Sequence, residues 1–254
     1  MSQQQAGRPG SGDTGSQKWD QFGDAYDQPT FSGTPRTYVI ASMPRSGSHM
    51  LGHLLHGTGQ LGSPLEYIHT QHLATWQERL GEPTRAATLQ AVMRRRTSPS
   101  GWFGVKAHWK QFADVMDDQE VMAVLSPQDW IRITRSDKVA QAVSLVIAQQ
   151  TKAWISFHQA KGEPVYDADA ITKGIRAFQK QESAWDTFFE TRGITPHVVV
   201  YEEMLEDPAR TVADVCARLD VPVPAVLPEP GTTRQATAVN AEWRARYLAE
   251  SGSR

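Results

Sequence analysis

One cysteine, Cys216, stands in the 254 residues, and that scarcity excludes an internal disulfide. Its neighbours follow an amphipathic helical pattern, so the thiol is expected as a small buried hydrophobe rather than a reactive group. Apolar runs are short. None approaches the roughly 18 residues of a membrane-spanning helix, and the N-terminus lacks the basic-then-apolar profile of a secretion signal; the expected location is cytoplasmic. Neither sign of charge dominates, with 26 Lys and Arg against 28 Asp and Glu, so no global field draws nucleic acid or a membrane surface. Any anion site has to be local. Metal-ligand spacing is also missing: Cys216 has no cysteine partner, and the 8 His include no i, i+4 pair with an intervening Glu. No metal is expected, and His53, His56, His69 and His72 read as surface or pocket residues.

What is present begins at Thr37, with the run TYVIASMPRSGSHMLGHLLHGT. It reads as a buried strand (Tyr38–Ala41), a tight loop of small residues, and a helix carrying Met50, Leu51, Leu54 and Leu55 on one face. A strand–loop–helix unit aims the free N–H groups and positive dipole end of the helix at whatever occupies the loop. Ser46, Gly47 and Ser48 let the backbone approach that ligand, and Arg45 adds a planar fork of charged donors. The implied ligand is a phosphate or sulfate. A loop built for ATP, G-x-x-x-x-G-K-[ST], places Lys on the terminal phosphates. Here the paired glycines and the Lys are missing and Ser48 is followed by His49, which argues against ATP-dependent phosphoryl transfer.

Further short apolar runs at Trp102–Lys106, Trp130–Thr134 and Val198–Tyr201 read as strands. Between them lie helical patterns at Tyr67–Leu80, Pro83–Arg96, Lys110–Met116, Lys138–Gln159, Ala168–Arg192 and Thr211–Leu219. This alternation predicts an α/β fold, a P-loop-like three-layer sandwich whose mostly parallel central sheet has helices on both faces and ligands at the strand carboxyl ends. Residues 1–36, rich in Gly, Ser, Gln, Asp and Pro, are expected as a flexible N-terminal arm, disordered before Lys18, with Trp19–Phe31 able to dock on the domain formed by 37–254. The tryptophans of the middle region, Trp76, Trp102, Trp109, Trp130, Trp154 and Trp185, suit either aromatic pocket walls or the core.

Pro44-Arg45-Ser46-Gly47-Ser48 resembles the 5′-phosphosulfate loop, P-[KR]-[ST]-G-[ST], of sulfotransferases that use PAPS (3′-phosphoadenosine 5′-phosphosulfate). Arg135 at a strand end and Ser144 on the next helix resemble that superfamily's 3′-phosphate element, and the form R-x5-Q-A-x-S is similar to the bacterial trehalose 2-sulfotransferase type. Gly104-Val-Lys106-Ala-His108-Trp109 combines that branch's G-x-K-x-x-W with the K-x-H of eukaryotic relatives, whose His is the base. Gly62-Ser-Pro64-Leu-Glu66-Tyr67 resembles G-x-P-x-E-[YF], whose Glu is the proposed base. Tyr201 to Pro208 resembles a structural segment, and Arg234-Gln235-Ala236 before Trp243 resembles a loop over the 3′-phosphate. The likeness runs from Thr37 to about Glu250. It departs at His49, where Thr is usual, and in the acceptor-facing segments 68–96 and 148–166.

The resemblance implies a sulfotransferase domain over 37–254 that moves a sulfuryl group from PAPS to a hydroxyl of a carbohydrate or of a glycosylated or nucleoside-type small molecule, leaving PAP. It assigns catalysis to Glu66, His108, Arg45 and Lys106. Donor binding falls to Arg45, Ser46, Gly47, Ser48, His49, Arg135, Ser144, Arg234 and Gln235, and acceptor contact to Glu66, Tyr67, His108 and Trp109. Glu66 and His108 compete as the general base. Arg45, Lys106 and the loop N–H groups stabilise the departing oxygen. A non-PAPS donor such as an aryl sulfate and a kinase-like ATP enzyme are the alternatives. A homodimer is a further expectation.

Overall fold

The structure, a computed structural model, describes residues 20–154, 160–226 and 238–252. Four short apolar segments make its sheet: β1 (Arg36–Ser42), β2 (Trp102–His108), β3 (Asp129–Thr134) and β4 (His197–Val200). All pair in parallel, in the order β2-β1-β3-β4. The described helices are α1 (Ser48–Gly57), α2 (Thr70–Leu80), α3 (Arg85–Arg96), α4 (Trp109–Ala113), α5 (Gln119–Leu125), α6 (Lys138–Thr151), α7 (Ala168–Thr191), α8 (Tyr201–Glu206), α9 (Pro208–Arg218) and α10 (Ala238–Gly252). Among them, none is long and apolar enough to cross a membrane.

Strand side chains alternate between faces, and both faces here are covered. Tyr38, Ile40, Ile131 and Ile133 pack against Leu51, Leu54 and Leu55 of α1 and Val212, Val215 and Cys216 of α9. On the other face Val39, Ala41, Val105 and Ala107 meet Leu89 and Val92 of α3, Phe112 of α4 and Trp185 of α7. A third cluster ties Val143 of α6, Phe178 of α7 and Trp243 of α10. The result is the three-layer α/β sandwich with an all-parallel sheet, and Cys216 is fully buried.

Several boundaries move for physical reasons. The helix expected from Tyr67 starts at Thr70, because Leu65 forms a parallel bridge with Val105 and its carbonyl accepts from Lys106 N–H at 3.0 Å. The segment around Glu66 is therefore extended and lies along the open side of β2. Gly104 permits this approach: a Cβ there would lie 2.8 Å from Pro64 Cβ and 2.5 Å from the Tyr38 hydroxyl. The long helix expected over Lys138–Gln159 ends at Thr151, where Lys152 turns to φ +61°; residues 155–159 lie outside the described ones. Tyr201, expected in the last strand, begins α8 instead.

The tryptophans build the core. Trp76, Trp102, Trp130 and Trp185 are at most 6% exposed, and Trp109 packs edge-on to Trp185 at 5.0 Å. Trp154 is the exposed member. The pocket-wall alternative is therefore corrected for Trp76, Trp102, Trp130 and Trp185. The arm, described from Asp20, packs on α2 and α3. Phe22 meets Trp76 at 5.4 Å, and Asp27 pairs with Arg95 at 2.7 Å and with the fully buried Arg96 at 3.3 Å. Trp19 and the stretch before Lys18 lie outside the described residues.

Candidate active site

Parallel strands deliver their carboxyl ends to one edge, and the chemistry-bearing residues collect there. The loop after β1 turns through two left-handed residues, Arg45 at φ +63° and Gly47 at φ +87°. Gly47 is forced twice: its φ disfavours any side chain, and a Cβ would fall 2.2 Å from Tyr201 Cδ2. Gln141 of α6 pins the loop from below, its Nε2 donating to Pro44 O at 2.9 Å. Arg135, just past β3, donates to Arg45 O at 3.1 Å and lies over the Tyr201 ring at 4.6 Å. Arg45 Nε donates to Ser144 Oγ at 2.9 Å, and its NH1 donates to Trp154 O. Arg45, Arg135 and Ser144, far apart in sequence, thus meet at one point.

The electrostatics of that point suit an anion. Burial, and then the charge of Arg135, push the Arg45 guanidinium down to about 10. A negative ligand between two crowded cations relieves that strain. Ser46 is fully buried and its hydroxyl has no hydrogen-bond partner, an orphan that a ligand oxygen would satisfy. The first-turn N–H groups of α1 have no intrahelical acceptor. His49, on that turn, has its Nε2 3.1 Å from His53 Nε2 one turn on. Burial, with Lys106 and His53 adding, presses His49 to about 2; burial, with His56 and Lys106, presses His53 to about 4. Both rings are neutral at physiological pH.

At the end of β2, one strand over, sits a second cluster. Glu66 Oε1 is 2.6 Å from Lys106 Nζ and 3.9 Å from His108 Nε2, and Gln111 Nε2 donates to Glu66 Oε2 at 2.7 Å. Burial alone would raise Glu66, but Lys106, His108 and the hydrogen bonds from Lys106 and Gln111 hold its carboxyl well below the usual range. Burial drives His108 down to about 4, with Lys106 and His69 adding to it and Glu66 opposing. His108 Nδ1 is 2.8 Å from Ser42 Oγ. His72 Nδ1 is 3.1 Å from Glu66 O. Among the described residues, no three His, Cys, Asp or Glu side chains group as metal ligands do.

One expected acceptor contact sits elsewhere. Tyr67 is 1% exposed, stacked on Phe103 at 5.4 Å with its hydroxyl on Ser63 O, so it shapes the Glu66 segment from within the core. Trp109, next to His108, is half-buried and packs one side on the core. Arg234 and Gln235 lie outside the described residues. Sequence reading gave no role to Ser42, Gln111 or Gln141. Ser42 acts only through strand register. Gln111 carried one signal: it stands three residues after the residue preceding α4, where its Oε1 accepts the His108 N–H at 2.9 Å.

The family model for Stf0 sulphotransferase matches residues 37–250. A trehalose 2-sulfotransferase of Mycobacterium tuberculosis is 28% identical over 85% of this chain and 96% of its own length. That of Mycolicibacterium smegmatis is 28% identical over 84% and 94%. Among solved structures, a sulfotransferase domain from the curacin biosynthetic pathway superposes with a TM-score of 0.48 at 15% identity, covering 83% of each chain. With the loop, the strand-end arginine and the Glu66–Lys106–His108 cluster all inside the matched span, the chain belongs to the Stf0 sulphotransferase family.

Proposed function

We propose that this sulfotransferase uses PAPS to sulfate a hydroxyl of a carbohydrate, or of a glycosylated or nucleoside-type small molecule, with Glu66 or His108 as the general base. The observation that carries the reading is the register of β1 and β2. Ser42 pairs with His108, so the anion loop at Pro44 starts two residues beyond the neighbour of His108. The trehalose enzymes among the relatives support a carbohydrate acceptor.

Arg45, Ser46, Gly47, Ser48 and the first turn of α1 would hold the sulfate end of the donor, and Arg135 with Ser144 its 3′-phosphate. PAPS supplies the sulfuryl group: an O–S bond to the acceptor forms as the bond to the departing phosphate oxygen of PAP breaks. The chain's residues handle the proton and the charge. His108 Nε2 and Glu66 Oε1 are 3.9 Å apart, and one hydroxyl oxygen at about 2.8 Å from each spans that gap. Both lie within reach of that oxygen, so both stand as base candidates. Whichever of the two takes the acceptor proton, the other holds the hydroxyl in place. The N–H groups of the loop and Arg45 stabilise the negative charge on the leaving side.

Calorimetric titration with PAP, and with ADP as the control lacking the 3′-phosphate, tests the donor. We expect micromolar PAP binding, ADP at least about tenfold weaker, as loss of a charged hydrogen-bond set requires, and no such discrimination in Arg135→Ala. Equal or absent binding of the two nucleotides sinks the PAPS assignment.

A further inference from the structure

Glu66 sits on neither a helix nor a strand, so no regular ladder of backbone hydrogen bonds sets its place. Its support comes from chain outside the family match, which spans residues 37–250 and leaves out the arm. Ser63, at the position that the G-x-P-x-E pattern leaves free, is fully buried. Its hydroxyl donates to Tyr26 O of the arm at 2.6 Å. Gln28 of the arm donates its Nε2 to the same hydroxyl oxygen at 3.1 Å, and His56 Nδ1 of α1 lies 2.9 Å from it. The His56 ring also bonds the Gly62 carbonyl and lies 3.3 Å from Gln28 Nε2. One serine hydroxyl thus joins the arm and α1 to the segment that carries the carboxylate. A second grip reaches Glu66 itself. His72 Nδ1 is 3.1 Å from Glu66 O, and because a carbonyl only accepts, the ring nitrogen donates. Phe22 of the arm packs edge-on to that ring at 5.8 Å.

We propose that the arm positions Glu66: Tyr26 and Gln28, through the Ser63 hydroxyl, and Phe22, through His72, hold its segment against β2 and keep the carboxylate in reach of the acceptor hydroxyl. This rests on the reading of Glu66 as the base or as the holder of that hydroxyl. Between the two grips the chain has little freedom. Pro64 fixes its own φ, Leu65 bridges to Val105, and the Leu65 carbonyl accepts from the Lys106 and Tyr67 N–H groups at 3.0 Å each. A shift at Ser63 is therefore passed along the segment to the carboxylate, which lies 2.6 Å from Lys106 Nζ, and in-line transfer is sensitive to such a displacement. The matched family span contains the carboxylate; this chain's own arm adds part of its support.

The test uses two variants of the full chain. Ser63→Ala removes the shared hydroxyl. Because a change at a fully buried site can unfold the protein, Gln28→Met is the second; it keeps the shape of a half-buried side chain and removes its donor. Amide hydrogen exchange, followed by NMR, reads the segment at Tyr67 and Lys106, whose N–H groups both end on Leu65 O. Both amides should exchange about tenfold faster in either variant, the effect of losing one buried hydrogen bond, while the amides that pair β1 with β3 keep their rates. With PAPS as donor and trehalose as the probe acceptor, kcat should fall by about tenfold or more, with PAP affinity and KM for PAPS unchanged. Unchanged exchange at Tyr67 and Lys106 in both variants overturns the proposal. So does exchange that quickens equally at the β1–β3 amides, the mark of general destabilisation, and so does faster exchange with kcat within about twofold of the unsubstituted protein. If trehalose is not turned over, the exchange rates decide alone. If Glu66→Gln retains kcat, the reading of Glu66 falls and the positioning role with it; altered exchange in Ser63→Ala tells that outcome from a failure of the arm's grip.

Discussion

At the residue scale the loop rests on Gly47. A side chain there meets a φ of +87° and the edge of the Tyr201 ring, and Arg135 stacks on the same ring. Gly47→Ala therefore forces either the loop or Tyr201 to move, at roughly 1–2 kcal/mol for the backbone alone. The expected outcome is PAP binding weakened by at least about tenfold in a calorimetric titration. Unchanged affinity would show that the loop does not grip the anion. Arg45, Ser46, Ser48 and Arg135 could be picked out from the chain because each follows a strand or opens a helix, where such side chains suit an anion, whereas Ser144, in the middle of α6, was reached through its spacing from Arg135. Ser42 and Gln111 could not, since a serine at a strand end and a glutamine in a short helix mean nothing until two strands are in register. Tyr67 misled in the opposite direction: adjacent to Glu66 in sequence, it points into the core because neighbours in an extended segment face opposite ways.

At the element scale the arm is a structural part of the molecule. Arg96 of α3 is fully buried, between the rings of Trp76 at 5.2 Å and Tyr26 at 5.7 Å, and its carboxylate partner, Asp27, comes from the arm. Tyr26 continues toward α1, meeting His53 at 5.8 Å and His56 at 5.2 Å, so the arm walls the histidine-bearing side of that helix. Asp27→Ala leaves a buried guanidinium with only carbonyl partners, Gly23 O at 3.0 Å and Gln21 O at 3.4 Å. Because Asp27 is itself 27% exposed, the loss should be at the low end for a broken buried pair, about 3 kcal/mol, read as a lower urea midpoint with an unchanged slope. A shift below about 0.5 kcal/mol, typical of surface sites, would show that the arm is not integral. The four strands are legible in the sequence as short apolar runs with polar ends. The helices α5 and α8, seven and six residues long, are too brief to display a helical period, and the start of α2 was displaced by a bridge to β2 that periodicity cannot register.

At the scale of the whole molecule, the alternation of strand and helix was enough to foresee a parallel sheet with its chemistry at the carboxyl edge, but not how deeply that edge buries its titratable groups. That burial has a measurable consequence. His49, His53 and His108 fall from an ordinary 6.5 to about 2, about 4 and about 4 in the folded protein. Above about pH 7.5 these rings are neutral in both states, and the stability they permit is fully present. As pH falls from 6.5 toward 4 the unfolded chain takes up protons that the native site refuses, and stability is lost at up to about 1.4 kcal/mol per pH unit for each ring. Glu66 acts in the same direction further down: its folded carboxyl sits below the ordinary 4.5, so the stabilisation from Lys106 and Gln111 is present above 4.5 and drains away as pH drops below it. Urea unfolding at pH 7.5, 6.5, 5.5 and 5.0 should give a shallow loss of about 1 kcal/mol between the two higher values and a steep decline from 6.5 downward, and His53→Gln should make that decline shallower. A profile flat to pH 5 would mean that the native site accepts protons on these imidazoles. His108 would then be charged in mild acid, and an imidazolium cannot take the acceptor's proton.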